Sequence, residues 1–266
     1  MRTNNLISVA LLGFLLSVVC GTVAGAAVPA STPIPVTTPW VTSADHELGG
    51  AVFNHAAGLA MNEGSEISFG FALSPQGSVS GDGVFGSMAT SLGPIHFGLG
   101  LARLGNGLTQ PDMILRTDLG LAFSLGRNAS IGVGWTGLSA EATNSLDDYN
   151  SWSLSATLRP IRSLALGLDV DGLNTPSVAG VSRPVSGRLD IALRPGTERL
   201  AFGLEGGVDF VDKPNWSVGA GLRTMLIDGL TVGAFGRYVQ QRDTDGHVEW
   251  GVNLALGQGN VSVSSS

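Results

Sequence analysis

Leu115-Arg116-Thr117-Asp118-Leu119-Gly120-Leu121-Ala122-Phe123-Ser124-Leu125 changes character at every step. Odd positions carry Leu, Thr, Leu, Leu, Phe and Leu, and even positions carry Arg, Asp, Gly, Ala and Ser. Successive side chains of a strand point to opposite faces, so this segment has one greasy face and one small, polar face. The rhythm starts near Ser65 and runs to Gly257 in segments of about ten residues. A long series of such strands implies a sheet with lipid on one side and water on the other, which is a transmembrane β-barrel.

Composition supports this reading. Charged residues make up 13% of the 266, about half the ~25% of soluble domains. Glycine occurs 39 times, roughly twice its usual ~7% share. A soluble β-sandwich would place larger side chains inside and many Lys, Glu and Thr outside. Mean hydropathy is +0.27, yet after residue 20 no apolar run reaches the ~18 residues of a spanning helix. The net charge is −7 and Lys213 is the sole lysine, which argues against a nucleic-acid partner. Cys20 is the sole cysteine and falls in the leader, so disulfides, thiolate catalysis and cysteine metal sites are excluded from the mature chain.

The leader, 1–26, reads as a signal peptide: Arg2, an apolar stretch from Leu6 to Val19, and the A-x-A site Ala24-Gly25-Ala26. Residues 27–63 form a periplasmic lead followed by a plug. Pro29, Pro33, Pro35 and Pro39 keep the lead extended, and Ala51 to Met61 fit a short helix or inward plug. The barrel is expected over 64–257, with 258–266 as a tail.

The fold class expected is all-β, an antiparallel up-and-down barrel of about twelve strands. The expected spans are 65–74, 83–92, 94–103, 112–125, 129–138, 149–159, 163–172, 184–194, 199–210, 215–225, 229–239 and 246–257. Connections alternate long and short. Gly93-Pro94, Gly126-Arg127-Asn128 and Pro160-Ile161-Arg162 are short, whereas 104–111, 139–148 and 173–183 are long. Outer-membrane barrels have long external loops and short periplasmic turns, and an even strand count places both termini in the periplasm. Lipid-facing positions include Ile67, Phe69, Ile95, Phe97, Trp152, Leu154, Leu166 and Leu168. Phe85 opposes Val84 and Met88, and Phe235 also breaks the pattern. Trp135, Trp152, Trp216, Tyr238 and Trp250 fit an interfacial girdle.

The opposite face gives the lumen: His96, Arg116, Asp118, Arg159, Asp169, Asp171, Arg188, Asp190, Glu205, Asp209, Arg223, Arg237, His247, Glu249 and Asn253. Such a lining is either a polar path whose charges select solutes or a salt-bridged interior that stabilises the barrel. No G-x-S-x-G, H-E-x-x-H or Walker sequence occurs, so no catalytic, cofactor or metal residues are assigned and the chain is not expected to be an enzyme. Gly98-Leu99-Gly100 and Gly219-Ala220-Gly221 lie inside strands, where alternating glycine is a packing pattern. Asp147, Asp148, Asp243 and Asp245 are loop acids, either solvated or holding a divalent cation with lipopolysaccharide.

Residues 52–69 resemble the N-terminal segment of FadL-like and PorV-like outer-membrane barrels, which reads N-P-A-G-L-A before the first strand. Here the stretch is His55-Ala56-Ala57-Gly58-Leu59-Ala60, with His55 and Ala56 at the Asn and Pro positions. Leu158-Arg159-Pro160 with Leu164 to Leu168, repeated as Leu193-Arg194-Pro195 with Arg199 to Leu204, resembles the barrel region that precedes the protease in some SppA-like signal peptide peptidases. The first resemblance implies an outer-membrane channel with an N-terminal plug, centred on His55, Ala56, Ala57, Gly58 and Leu59. The second implies a non-catalytic anchor domain of a larger envelope protein. The ending Asn260 to Ser266 lacks a terminal aromatic, which fits a fragment, a following domain or assembly through an internal signal. The leading expectation is a channel for a small apolar or amphipathic solute in a Gram-negative-type bacterium. Its expected partners are outer-membrane lipid, lipopolysaccharide, the barrel-assembly machinery and that solute.

Overall fold

The computed structural model describes residues 48–61, 65–72, 82–105, 113–139, 149–178, 181–196, 199–211, 214–227, 230–240, 246–258 and 261–265. The expected leader and extended lead lie outside them, as do the four loop acids. The chain enters through two 3₁₀ segments, Leu48–Phe53 and Ala56–Ala60. Strands follow as β1 (Glu66–Ala72), β2 (Asp82–Leu92), β3 (Ile95–Gly105), β4 (Met113–Ser124), β5 (Ala129–Ser139), β6 (Asn150–Ile161) and β7 (Leu164–Asp171). A two-residue hairpin, β8 (Ser177–Val178) with β9 (Val181–Ser182), rides in the next loop. The wall resumes with β10 (Ser186–Leu193), β11 (Leu200–Asp209), β12 (Trp216–Ile227), β13 (Leu230–Gln240), β14 (His247–Gln258) and β15 (Val261–Ser265).

Each wall strand from β1 to β14 pairs antiparallel with its sequence neighbour, so the sheet is an up-and-down barrel wall. Connections within the pairs β2–β3 and β6–β7 are two residues long, at 93–94 and 162–163, whereas 106–112 and 172–185 separate strands at the other end. The β2–β3 link is tight because Gly93 takes φ +62°, a left-handed conformation that costs glycine little.

One difference from the sequence reading lies at the C-terminus. Twelve strands of the described wall coincide with the expected spans, but part of the expected tail forms an additional strand, β15. It pairs antiparallel with β14 (Leu256↔Val263) and in parallel with β1 (Ile67↔Val261 to Phe71↔Ser265), bringing the two ends of the sheet together. Adding one strand to an alternating set makes the last run in the same direction as the first, so their ladder is parallel. Ser265 is then level with Phe71, the loop end of β1, rather than at the end where β1 begins. Val261 and Val263 do alternate with Ser262 and Ser264, but five residues fall short of the ~9–11 of a spanning strand, so length hid the pattern.

Apolar side chains on the outward parity are exposed all along the wall, including Phe97, Leu121, Ile131, Leu154, Leu168, Leu204 and Val218. Such a belt is stable only where hydrocarbon replaces water. Trp152, Trp216 and Tyr238 sit near the loop ends of their strands, as does Trp250 by position, whereas Trp135 lies near the middle of β5. The Trp216 and Tyr238 rings touch, with centroids 5.5 Å apart. Amphipathic rings gathered at one end fit a membrane–water interface there.

Candidate functional site: a plugged lumen

The 3₁₀ segments lie inside the barrel, against the inward faces of β1 to β6. A segment this irregular leaves backbone groups unpaired, and away from water each needs a partner. The wall supplies them. Arg116 Nη2 donates to the Phe53 carbonyl at 2.5 Å and Arg188 Nη2 to the Asn54 carbonyl at 3.1 Å. The Ala57 N–H donates to Ser155 Oγ at 2.8 Å, and Ser130 Oγ donates to the Ala57 carbonyl at 2.8 Å. Ser124 Oγ reaches the Ala60 carbonyl at 3.3 Å and also meets His96 Nε2 at 2.9 Å. The sequence reading placed Arg116, Arg188 and His96 in the lumen but gave no role to Ser124, Ser130, Ser155 or Thr157. Their inward parity was the available signal.

Apolar contact seats the plug from the other side. Val52, Phe53 and Leu59 are buried with Phe85, Ala89, Ala102 and Ala122 of the wall. Each large side chain removed from water contributes roughly 1.5–3 kcal/mol. Phe85 departs from the outward alternation because it points in, edge-to-face on Phe53 with centroids 5.7 Å apart. The side chain of Phe235 lies outside the described set. Gly98, Gly100, Gly120 and Gly132 carry the plug's footprint. A Cβ on Gly120 would stand 2.7 Å from Leu59 Cδ1, and one on Gly132 would stand 2.4 Å from the Ala57 nitrogen. The alternating glycines read as packing are the positions where a second layer of chain approaches the wall.

His55 is the plug's main polar anchor. Its Nδ1 is 2.6 Å from Asp169 Oδ1 and its Nε2 is 2.5 Å from Thr157 Oγ1. A carboxylate only accepts, so Nδ1 carries the proton and, in the neutral ring, Nε2 accepts from the Thr157 hydroxyl. Asp169 also receives Arg188 Nη2 at 3.3 Å, and Asp190 Oδ2 lies 3.5 Å from Arg188 Nε. Histidine thus makes, at the position where FadL-like segments carry Asn, two side-chain contacts to the wall on β6 and β7. Replacing His55 with Ala leaves the buried Asp169 one donor short, at about 1.5–3 kcal/mol for a bond to a charged group. The expected result is amide exchange in residues 48–60 accelerated by on the order of tenfold or more, with strand amides unchanged in a hydrogen-exchange experiment.

The second pair at the plug is Arg116 with Asp118, two positions apart on β4 and on the same face. Arg116 Nε and Nη2 donate to Asp118 Oδ2 and Oδ1 at 2.7 and 2.8 Å. Thr136 Oγ1 adds a bond to Asp118 at 2.6 Å, and the guanidinium lies over the Phe53 ring, 5.9 Å from its centroid.

The far side of the lumen is different. Inward positions of β11 and β12, such as Glu205, Ser217 and Arg223, and Arg237 on β13, are only partly buried. Arg237 Nη1 lies 4.0 Å from Glu205 Oε1, and the Glu205 side chain rests over Gly219. The structure therefore separates nine of the sequence-derived lumen residues into two groups. His96, Arg116, Asp118, Asp169 and Arg188 contact the plug or its immediate partners, and Asp190 sits beside Arg188. Glu205, Arg223 and Arg237 lie away from it and are only partly buried. The side chains of Glu249 and His247 lie outside the described set. At the loop end, Ile114, Leu138 and Tyr149 continue the buried apolar cluster, and Arg183 of the hairpin loop lies 5.7 Å from the Tyr149 ring centroid.

No protein-family model matches the chain, and no curated protein does. Among solved structures, a mutant of TodX described as a monoaromatic hydrocarbon channel is similar, with TM-score 0.50 and 14% identity over 79% of this chain and 87% of that one. The toluene transporter TodX of Pseudomonas putida gives TM-score 0.49 and 13% identity over 85% and 93%. A bacterial polysaccharide outer membrane secretin gives 0.44 and 14% over 65% and 68%. At this identity the likeness is one of fold. The likeness in fold to the TodX mutant fits the FadL-like outer-membrane barrel that residues 52–69 resemble.

Proposed function

We propose that the chain is an outer-membrane channel that passes a small apolar or amphipathic solute beside and past its plug. The observation that carries this is the asymmetry of the lumen. The plug fills the β1–β6 side, while Glu205, Arg223 and Arg237 stand half-exposed along the β11–β13 side. Long loops face outward and short turns face the periplasm in this reading. Lipid and lipopolysaccharide surround the belt, and the barrel-assembly machinery inserts it.

Two measurements test the reading. Removing 48–60 is expected to raise ion conductance of the barrel in planar bilayers by on the order of tenfold, because the polar wall groups it covers would then face water. Unchanged conductance would show that these residues do not limit passage. Cells carrying the intact barrel are expected to take up toluene faster than cells without it, and equal rates would remove apolar solutes from the proposal.

A further inference from the structure

Acidic residues gather on one patch of the inner wall, where β7, β10 and β11 run side by side. Strand register sets this patch as rows of inward residues. One row is Gly167, Asp190 and Glu205, the next is Asp169, Arg188 and Gly207, and the third is Asp171, Ser186 and Asp209. Five carboxylates thus surround a single guanidinium. A network that only braces a wall balances its charges, because each uncompensated buried charge is costly. Groups outside the patch restore the balance only in part. Asp169 takes His55 as well as Arg188, Asp209 takes Asn215 Nδ2 at 2.7 Å, and Glu205 has Arg237 Nη1 at 4.0 Å.

Asp190 is the exception. It is fully buried, and neither of its carboxylate oxygens has a hydrogen-bond donor among the described residues. Arg188 Nε lies 3.5 Å from Oδ2 without forming a hydrogen bond. Glu205 stands directly across on β11. Residues so paired have Cβ atoms about 4.5–5.5 Å apart, and like charges there destabilise a strand pair. The Glu205 side chain leans the other way, over Gly219. Two neighbouring carboxylates, one of them without a donor, call for a cation between them.

We propose that Asp190 and Glu205 bind an organic ammonium cation, the charged head of the amphipathic solute. An ammonium group carries three N–H donors and no acceptor. It bonds carboxylate oxygens at about 2.7–2.9 Å, so one group serves both side chains. A divalent metal ion is a poorer match, since it takes about six oxygens. Among the described residues no three His, Cys, Asp or Glu side chains are placed to hold one. The neighbouring row toward the turns is Ala165, Ala192 and Gly203, and its alanines are buried. A short alkyl group on the ammonium meets carbon there instead of charge. Glu205 and Asp209 are only partly buried, and Gly207 puts no side chain beside Arg188, so the head approaches from the β11 side. This site deepens the reading of the solute as amphipathic, and a binding measurement keeps it apart from transport.

The test is isothermal titration of the full chain in detergent with n-butylammonium chloride. Saturable binding is expected. Asp190→Asn and Glu205→Gln are each expected to weaken it by on the order of tenfold or more, the loss of a bond to a charged group. Arg162→Gln, at an exposed turn, is expected to leave it unchanged. Gel mobility of the folded form confirms that the variants are intact barrels, and Glu205→Gln, at a partly buried position, carries the test alone if Asp190→Asn does not fold. No saturable binding, equal binding of neutral 1-butanol, displacement by an equimolar amount of potassium, or unaltered affinity in the acid variants would each overturn the proposal. Uptake of butylammonium into liposomes is read separately. Binding without uptake leaves the site standing and removes the channel reading.

Discussion

Gly132→Val is expected to unseat the plug while leaving the barrel wall folded. A Cβ at this position would lie 2.4 Å from the Ala57 nitrogen and 2.6 Å from the Ala56 carbonyl carbon, both backbone atoms. No rotamer change relieves that contact. Overpacking usually costs about 1–3 kcal/mol because side chains yield. Here the 3₁₀ turn itself must move, and moving it breaks the bonds from Ala57 to Ser155 and Ser130 as well. A total beyond about 3 kcal/mol shifts the seated-to-unseated ratio by more than roughly a hundredfold. The wall is not harmed, since Val is a better strand residue than Gly in the middle of β5. Gly120→Ala provides the graded comparison. Its nearest contact is the Leu59 side chain at 2.7 Å, which can rotate. Hydrogen exchange across residues 48–60 should be fast in the first variant and moderately raised in the second, with heat-dependent gel mobility of the barrel retained in both. Full protection of residues 48–60 in Gly132→Val would show that the turn does not press on β5 as described.

Much of this architecture was legible in the sequence because a membrane barrel states its fold in a single period. Leu119, Leu121 and Phe123 must face hydrocarbon, and a shift of one residue would turn every one of them inward, so parity fixes strand faces strongly. Alternation of short and long connections then tells which strand ends lie on the same side. What parity cannot report is distance within the lumen. Arg116 and Glu205 have the same inward signature, yet one is buried against Phe53 and the other is only partly buried. The division depends on where a non-periodic segment, 48–61, lies across strands far away in sequence. His55 pairs with Asp169 over a separation of 114 residues, and no local pattern announces it. Phe85 and the inward glycines of β3 to β5 were visible as breaks in the pattern or as packing. Their meaning needed the partner: Phe53 for the first, Leu59 and Ala57 for the others. β15 was missed for a different reason, its length, five residues against the twelve of β14.

Separating Arg116 from Asp118 should destabilise the barrel more than removing both. Both groups are buried, and their two parallel hydrogen bonds satisfy the carboxylate together with the Thr136 hydroxyl. Arg116→Met leaves the Asp118 carboxylate with Thr136 alone in a water-poor interior. It also strips the Phe53 carbonyl of its donor, so both plug and wall suffer. Asp118→Leu leaves the guanidinium with the Phe53 carbonyl and ring but without its anion. Breaking one partner of a buried pair typically costs about 3–5 kcal/mol, whereas replacing the whole pair by apolar groups of similar volume is often neutral. The double variant Arg116→Met/Asp118→Leu is therefore expected to be more stable than either single variant. It should remain below the unaltered chain by the lost bond to the Phe53 carbonyl, about 1–3 kcal/mol. Urea unfolding of the barrel in lipid vesicles, followed by tryptophan fluorescence, reads all four proteins on one scale. Simple additivity of the two single losses would mean that the pair is not coupled, and that each group is stabilised by neighbours other than its partner on β4.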